Sequence, residues 1–304
     1  MQWSVHHIRV VGLSLLLVAL LVVWVPQVVP RDLLANVLWA TGVECRHDYL
    51  RVHFLDIGQG DAIFIETPDC VQMLVDGGVD RQVLNRLAEV MSPLDRQIDM
   101  VVGTHPHADH IGGLVDVLQR FQVDHILVTE KQLPTQVSDR FFAAVDRAAE
   151  DGSTVWYARA GQTFALGAST TVDILSPRYD PTEMDADVSS IVTHIHYGDT
   201  AIMLTGDAPV VVEDYLVEVY GSGLRSDIFK LGHHGSRTSS GELFLDTVQP
   251  RYAVTSAGVD NRHGHPHAEV VERVLERGIT HVSTQDRGTI TFKSDGTRVW
   301  LQGE

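Results

Sequence analysis

The sequence predicts an α/β domain in which helices cover sheets, preceded by one membrane-spanning segment. Three observations carry this prediction. Short apolar strands alternate with amphipathic helices from about residue 49 onward. An almost wholly apolar run occupies Ile8–Pro30. The chain has 304 residues, 44% of them hydrophobic, which is enough for one large core or two small ones. The reading is therefore an anchor or signal segment over 1–30, a connector over 31–48, and a single domain over 49–304.

Val10–Val25 carries no charge, and with Pro26–Val29 the run reaches a length able to cross a ~30 Å hydrocarbon core as a helix. Trp3, Trp24 and Trp39 suit membrane interfaces. A cleaved signal peptide competes with the anchor, although Ala35 and Ala40 make poor cleavage sites. Arg9 precedes the span and places the rest of the chain outside the cytoplasm; Arg31, just after it, acts against that orientation.

The first strands read as Leu50–Ile57, Ala62–Thr67 and QMLVDGG, with Pro68–Cys70 a turn between the second and third. A helix over Arg81–Met91 puts Val83, Leu84, Leu87 and Val90 on one face. Asp99–Thr104 is a short buried strand, and a helix over Ile111–Phe121 has Gly112 and Gly113 in its first turn. Strands at His125–Thr129 and Thr154–Tyr157 flank a helix near Asp139–Ala149. Further strands are read at Thr171–Leu175, Ser190–Tyr197, Thr200–Thr205, Asp227–Leu231 and Tyr252–Thr255. Helices follow at Pro209–Tyr220, Gly241–Val248 and Pro266–Arg277, and the chain closes in strands near His281–Thr284, Gly288–Lys293 and Thr297–Leu301.

The formal charge is −17, with three lysines (Lys131, Lys230, Lys293) among 23 basic residues. Such a field repels polyanions at long range, so nucleic acid would need a local basic patch. Cys45 precedes the first strand and Cys70 follows the second. If those strands pair antiparallel, the cysteines are neighbours able to form a disulfide in an oxidising compartment; two unrelated thiols is the other reading.

Residues 104–113 read THPHADHIGG, with three histidines and an aspartate inside six positions. His105 and His107 are two apart and point to one side of extended chain. Asp109 and His110 lie in the turn opening the next helix. Neutral imidazole and carboxylate are ligands that zinc and similar ions prefer. Asp76 in LVDGG, Asp207 in MLTGDA, and His233 and His234 in LGHHGS also follow apolar strands. Strand ends on one sheet edge converge, so together these residues predict a two-ion site.

With its stretches HFLDIGQGDAIFIE, LVDGG, THPHADHIGG, SIVTHIHYGDTAIMLTGDA, LGHHGS, NRHGHPH and GTITF, the chain resembles the metallo-β-lactamase superfamily. Within it, the chain is similar to the C-terminal domain of ComEC-type DNA-uptake proteins. The resemblance covers roughly Leu50 to Phe292. It implies an αββα sandwich with the metal site at one edge, holding two divalent ions, zinc or manganese. By resemblance, His105 and His107 bind one ion, and Asp109, His110 and a histidine of HHGS, His233 favoured over His234, bind the other. Asp207 bridges both, and Asp76 orients a ligand from behind. The superfamily's further ligand histidine is missing from EMDADVSSIV; Asp187, less readily Asp185, or water takes its place. His194 and His196 are read as surface groups or substitute ligands. His265 or His267 of GHPH would assist a leaving group, and Ser236, Thr238, Ser239 and Arg262 would hold phosphate oxygens. GQGDA reads as a tight turn between strands; Gln59 and Asp61 could face the metals, although hairpin geometry alone explains the glycines.

The function so implied is a membrane-anchored, extracytoplasmic phosphodiesterase or nuclease, acting on a phosphodiester such as single-stranded DNA and needing an uptake-channel partner to serve in DNA uptake. Asp109, Asp207, His265 and His267 are its expected catalytic groups. Alternatives are a hydrolase of a small phosphoester, thioester or lactam, or a non-catalytic module that metal ions brace.

Overall fold

Alternation along the strands sorts apolar side chains into a central core and two outer ones. In β1 (Leu50–Phe54), β2 (Ile63–Glu66) and β3 (Gln72–Val75), residues Val52, Phe54, Ile63, Ile65, Met73 and Val75 face the central core, whereas Phe64 and Leu74 face helices. The computed structural model describes residues 47–303. The apolar run over 8–30, Cys45 and most of the connector lie outside the described residues. Among the described residues, no helix is long and apolar enough to cross a membrane. Cys70 is disulfide-bonded, and Cys45 is the one other cysteine of the chain.

After β3 come α1 (Gln82–Val90), β4 (Gln97–Gly103), α2 (Ala108–Ile111), α3 (Leu114–Arg120), β5 (Gln122–Val128), α4 (Gln136–Glu150) and β6 (Thr154–Tyr157). The chain then builds a second sheet from β7 (Thr163–Leu166), β8 (Thr170–Ser176), β9 (Val192–Tyr197) and β10 (Thr200–Leu204). This sheet continues through α5 (Val210–Tyr220), β11 (Ile228–Lys230), α6 (Glu242–Val248), β12 (Tyr252–Thr255), α7 (Ala268–Glu276) and β13 (Thr280–Ser283). After α8 (Thr284–Arg287), β14 (Ile290–Ser294) and β15 (Val299–Leu301) return to the first sheet. The strand orders are β15-β14-β1-β2-β3-β4-β5-β6 and β13-β12-β11-β10-β9-β8-β7.

Inner faces of both sheets share one core, in which Phe54, Met100 and Leu127 meet the cluster of Ile195, Ile202 and Val254. Val83, Leu114 and Phe141 pack α1, α3 and α4 on the first sheet. Leu216, Phe244 and Val270 pack α5, α6 and α7 on the second. The layers thus run helix, sheet, sheet, helix. Strands β3 to β6 are parallel, as are β10 to β13. Parallel neighbours end at the same sheet edge, which gathers the loops after β3, β4, β10 and β11.

Three local readings change. The helix expected over 111–121 is two helices, broken at Gly112 and Gly113. A Cβ there would come within 2.2 Å of Val79 O and 2.0 Å of Gly77 O, so these glycines admit the loop that carries Asp76. GQGDA is more than a hairpin turn. Gly60 has φ +123°, a Cβ on it would lie 2.1 Å from Asp109 O, and Asp61 N donates to that oxygen at 3.1 Å. Strand β7 and the one-turn α8 are absent from the sequence reading.

Glu213 secures the chain between β11 and α6. It is fully buried on α5 and accepts from Ser240 N at 2.7 Å and Gly241 N at 2.8 Å. Ser240 Oγ in turn accepts from Gly232 N, two residues before His234. Burial, outweighing the two donors, pushes the Glu213 carboxyl up to about 7 from 4.5. A folded value above the unfolded one means that the native state binds this proton more tightly. Its contribution is full below pH 4.5 and is lost as pH rises through about 7. The difference corresponds to roughly 3 kcal/mol. Glu213→Ala should lower stability at pH 5 by about 2–4 kcal/mol, by stranding two buried N–H groups and opening a cavity. It should also flatten the parent's decline between pH 5 and 8. Urea denaturation of both chains across that range checks this, and equal pH slopes would contradict it.

Candidate metal centre

Most of the functional side chains sit just past a strand, whereas Asp187 lies in the loop between β8 and β9. Asp76 follows β3 in left-handed backbone, φ +59°. Its carboxylate accepts from Thr104 N at 2.8 Å and Thr104 Oγ1 at 2.7 Å, and its Oδ2 lies 2.7 Å from His110 Nδ1. Thr104 Oγ1 is also 3.1 Å from His105 Nδ1. Because that hydroxyl donates to Asp76, it accepts from His105, so the proton of His105 rests on Nδ1 and Nε2 is left free. A single carboxylate thereby orients two imidazoles.

Two groups of ligand atoms result. In one, atoms of His105, His107, Asp187 and Asp207 lie within 4.8 Å of one another. His105 Nε2 to His107 Nδ1 is 3.1 Å, His107 Nδ1 to Asp187 Oδ1 3.1 Å, His105 Nε2 to Asp187 Oδ1 3.8 Å, and His105 Nε2 to Asp207 Oδ2 3.7 Å. The other comprises Asp61, His110, Asp207 and His234. Here His110 Nε2 is 3.3 Å from Asp207 Oδ1, and His234 Nε2 is 3.3 Å from Asp109 Oδ2 and 3.7 Å from Asp207 Oδ2. A tetrahedral ion with bonds of about 2.0–2.2 Å needs ligand atoms roughly 3.3–3.6 Å apart. Both groups approximate that spacing, and Asp207 belongs to both.

The residues fit divalent cations on a second count. His110 Nε2, His234 Nε2, Asp187 Oδ1 and Asp207 Oδ1 are buried without a hydrogen-bond partner. Such orphaned groups are costly unless a cation or water satisfies them. Burial opposes charge throughout the site, yet the groups charge one another. Asp207 is held well below the carboxylate range against burial, by His110 and His234. His110 is held well above the imidazole range against burial, by Asp207 and Asp76. His234 is pushed up to about 9 against burial, by Asp207 and Asp61. His105 differs, since burial keeps it well below the usual range and hence neutral.

Seven expected residues therefore meet: His105, His107, His110, Asp207, Asp187, Asp76 and Asp109. Asp187, from the segment that lacks a histidine, lies in the first group; Asp185 is exposed and instead accepts from Asp187 N at 3.0 Å. The HHGS histidines divide differently from expectation. Both have left-handed backbone, φ +48° and +57°, which turns consecutive rings apart. His234 is buried in the second group. His233, the favoured ligand, lies at the rim, 3.5 Å from Asp207 Oδ2 and 3.6 Å from Asp187 Oδ2.

His265 sits 5.6 Å from His233 and 6.1 Å from His234 by ring centre. Burial and the surrounding histidines push it down to about 4. His267 accepts from Arg237 N through Nδ1 at the start of α7. Ser239 spends its hydroxyl on Ala208 O, so it is not free for a phosphate. His194 is buried against Ser226, His196 lies near Asp173, and neither joins the ligand groups. Sequence reasoning left Asp61 between a turn and a place facing the metals, and passed over Lys230. The available signal was a lysine in the otherwise apolar strand IFK, on a chain with three lysines.

Above the two groups lies an open cleft of roughly 680 Å³, lined by Gln59, His107, Asp109, Asp207, His233, Arg262 and His263 among others. Asn261 shapes its rim by accepting from His263 N and His265 N while donating to Gly258 O and His265 O.

A sequence model of the metallo-beta-lactamase superfamily matches residues 55–259. The chain is 28% identical over 259 residues to ComE operon protein 3 of Bacillus subtilis (strain 168), covering 80% of this chain and 33% of that protein. It is 27% identical over 279 residues to competence protein ComA of Neisseria gonorrhoeae, covering 92% and 35%. The chain thus spans about a third of the length of these curated relatives. Among solved structures, Igni18, a metallo hydrolase from Ignicoccus hospitalis KIN4/I, aligns with a TM-score of 0.53 and 15% identity, over 80% of this chain and 98% of that one. CmlA, a diiron beta-hydroxylase from Streptomyces venezuelae, aligns at 0.54 and 17%, over 81% and 54%. At such identities these two likenesses concern the fold alone. The matched span 55–259 contains every residue of the two ligand groups, and the chain belongs to the metallo-β-lactamase superfamily, where its relatives are competence proteins of the ComEC type.

Proposed function

We propose that this chain is a metal-dependent phosphodiesterase that cleaves DNA strands outside the cytoplasm, held at the membrane by its segment over 8–30. The observation that carries the reading is the pair of ligand groups sharing Asp207 on the floor of an open cleft. The resemblance to competence proteins supports a nucleic-acid strand as substrate and an uptake channel as partner. His105, His107, Asp187 and Asp207 would hold one ion; Asp109, His110, His234 and Asp207 would hold the other. Zinc and manganese both suit these nitrogen and oxygen donors. Bound ions would supply Lewis acidity toward a phosphoryl oxygen and an activated water.

The protein's own groups do the rest. Asp207, buried at the shared vertex, keeps the two ligand groups in register. Arg262 lines the cleft as a local cation on an acidic chain, suited to a non-reacting phosphate oxygen. His265, kept neutral near pH 7, would help the leaving oxygen as a neutral N–H donor rather than as an imidazolium.

Purified full chain with manganese or zinc should hydrolyse bis-p-nitrophenyl phosphate and single-stranded DNA. Asp207→Ala should lower kcat/KM by more than about 100-fold, beyond the loss typical of a residue behind the ligands. Turnover of nitrocefin without phosphodiester cleavage would reject the substrate assignment. Asp187→Ala should reduce tightly bound metal from two equivalents toward one, as measured by metal analysis after dialysis. Two retained equivalents would remove Asp187 from the ligand set.

A further inference from the structure

Lys230 ends β11 with no exposed surface, between Phe229 and Leu231. Its Nζ lies 2.5 Å from Asp61 Oδ2, 3.4 Å from Gly206 O and 4.0 Å from Asp207 Oδ1. Burying an ion pair costs several kcal/mol per ion in desolvation, and an apolar side chain would fill the space without that cost. Geometry suggests what the pair does. Asp61 Oδ1 faces His234 Nδ1 at 3.3 Å, and among the described residues neither atom has a hydrogen-bond partner.

By distance alone Asp61 resembles a ligand, because its carboxylate belongs to the second group. Direction argues otherwise. Asp61 approaches both imidazoles from the Nδ1 side, at 3.3 Å for His234 and 3.9 Å for His110. Asp207 and Asp109 face the Nε2 atoms. The two nitrogens of an imidazole direct their lone pairs or protons away from each other, so a group at Nδ1 does not share the ion held at Nε2. The Oδ2 of Asp61, moreover, already faces an ammonium.

We propose that the buried Asp61–Lys230 pair is a positioning device for His234. Lys230 fixes the carboxylate of Asp61, Asp61 receives the Nδ1 proton of His234, and Nε2 is thereby presented to the cation between Asp109 and Asp207. Asp76 stands behind His110 in the same manner, at 2.7 Å. Carboxylates behind ligand histidines set tautomer and ring direction, and their loss typically weakens metal binding about 10–100-fold. This inference rests on the metal-binding part of the proposed function and is independent of the substrate.

The test is a cobalt(II) titration of the full chain, followed by visible absorption and chelator competition, with thermal unfolding of the metal-free protein alongside. Asp61→Asn and Lys230→Met should each weaken one of two binding events by roughly 10–100-fold, while the spectrum at saturation and the stoichiometry stay those of the parent. The double variant removes both charges together, and so remains informative if a single variant fails to fold. It should bind no more weakly than the worse single variant, because both residues act through one contact. Parent-like affinity in the double variant overturns the inference. So does a changed saturated spectrum or a lost equivalent in Asp61→Asn, which would make Asp61 a ligand. A parent chain that binds no cobalt overturns the metal reading itself, a failure distinct from either.

Discussion

Asp207 is a buried carboxylate with imidazole nitrogens of four histidines, His105, His110, His233 and His234, 3.3 to 3.7 Å from its oxygens. A charge so deeply placed survives only with positive partners. The rest of the site follows from that requirement. Asp61 and Asp76 are buried as well, and Lys230, His110 and His234 are the protein's own answer to three carboxylates. That answer is incomplete, since several of these atoms face one another without forming hydrogen bonds. The unmet polarity is what distinguishes the centre, as a candidate cation site, from an ordinary buried ion-pair network.

The fold supplies this arrangement through parallel strands. Parallel neighbours in each sheet end at a common edge, and the two sheets bring Asp76 and His105 opposite Asp207 and His234. Close backbone approach then does what side chains alone could not. Gly60 lets the β1–β2 connection touch Asp109, while Gly112 and Gly113 admit the Asp76 loop against the helix break. Glu213 and Ser240 tether the other side of the centre, near the HHGS turn. The chain's strong negative charge is relieved locally at the cleft, where Arg262 and a run of histidines form the rim.

Much of this was legible in the residues. Strand and helix periodicity gave sheets covered by helices, because each strand buries alternate faces against different neighbours, and the family resemblance implied the two-sheet layering. Motif spacing singled out His105, His107, His110 and Asp207, and the gap in EMDADVSSIV pointed to Asp187. The choice between His233 and His234 was not legible. Two successive left-handed residues bury His234 and leave His233 at the rim, and adjacent histidines look equivalent until that turn is formed. Asp61 could not be decided from the residues, because it lies in a glycine-rich segment whose turn signals already accounted for its composition.

What the sequence determined by itself was the inventory: which side chains end which strands, and that enough imidazole and carboxylate lies there for two cations. Periodicity and local motif chemistry act over a few residues, so they are written in the chain directly. Tertiary structure alone decided which nitrogen faces which oxygen, that His234 is buried while His233 lies at the rim, and that Lys230 meets Asp61 from 169 positions away. Those outcomes depend on where sheet edges, glycine contacts and turns place the backbone to within an ångström, and no local pattern encodes that.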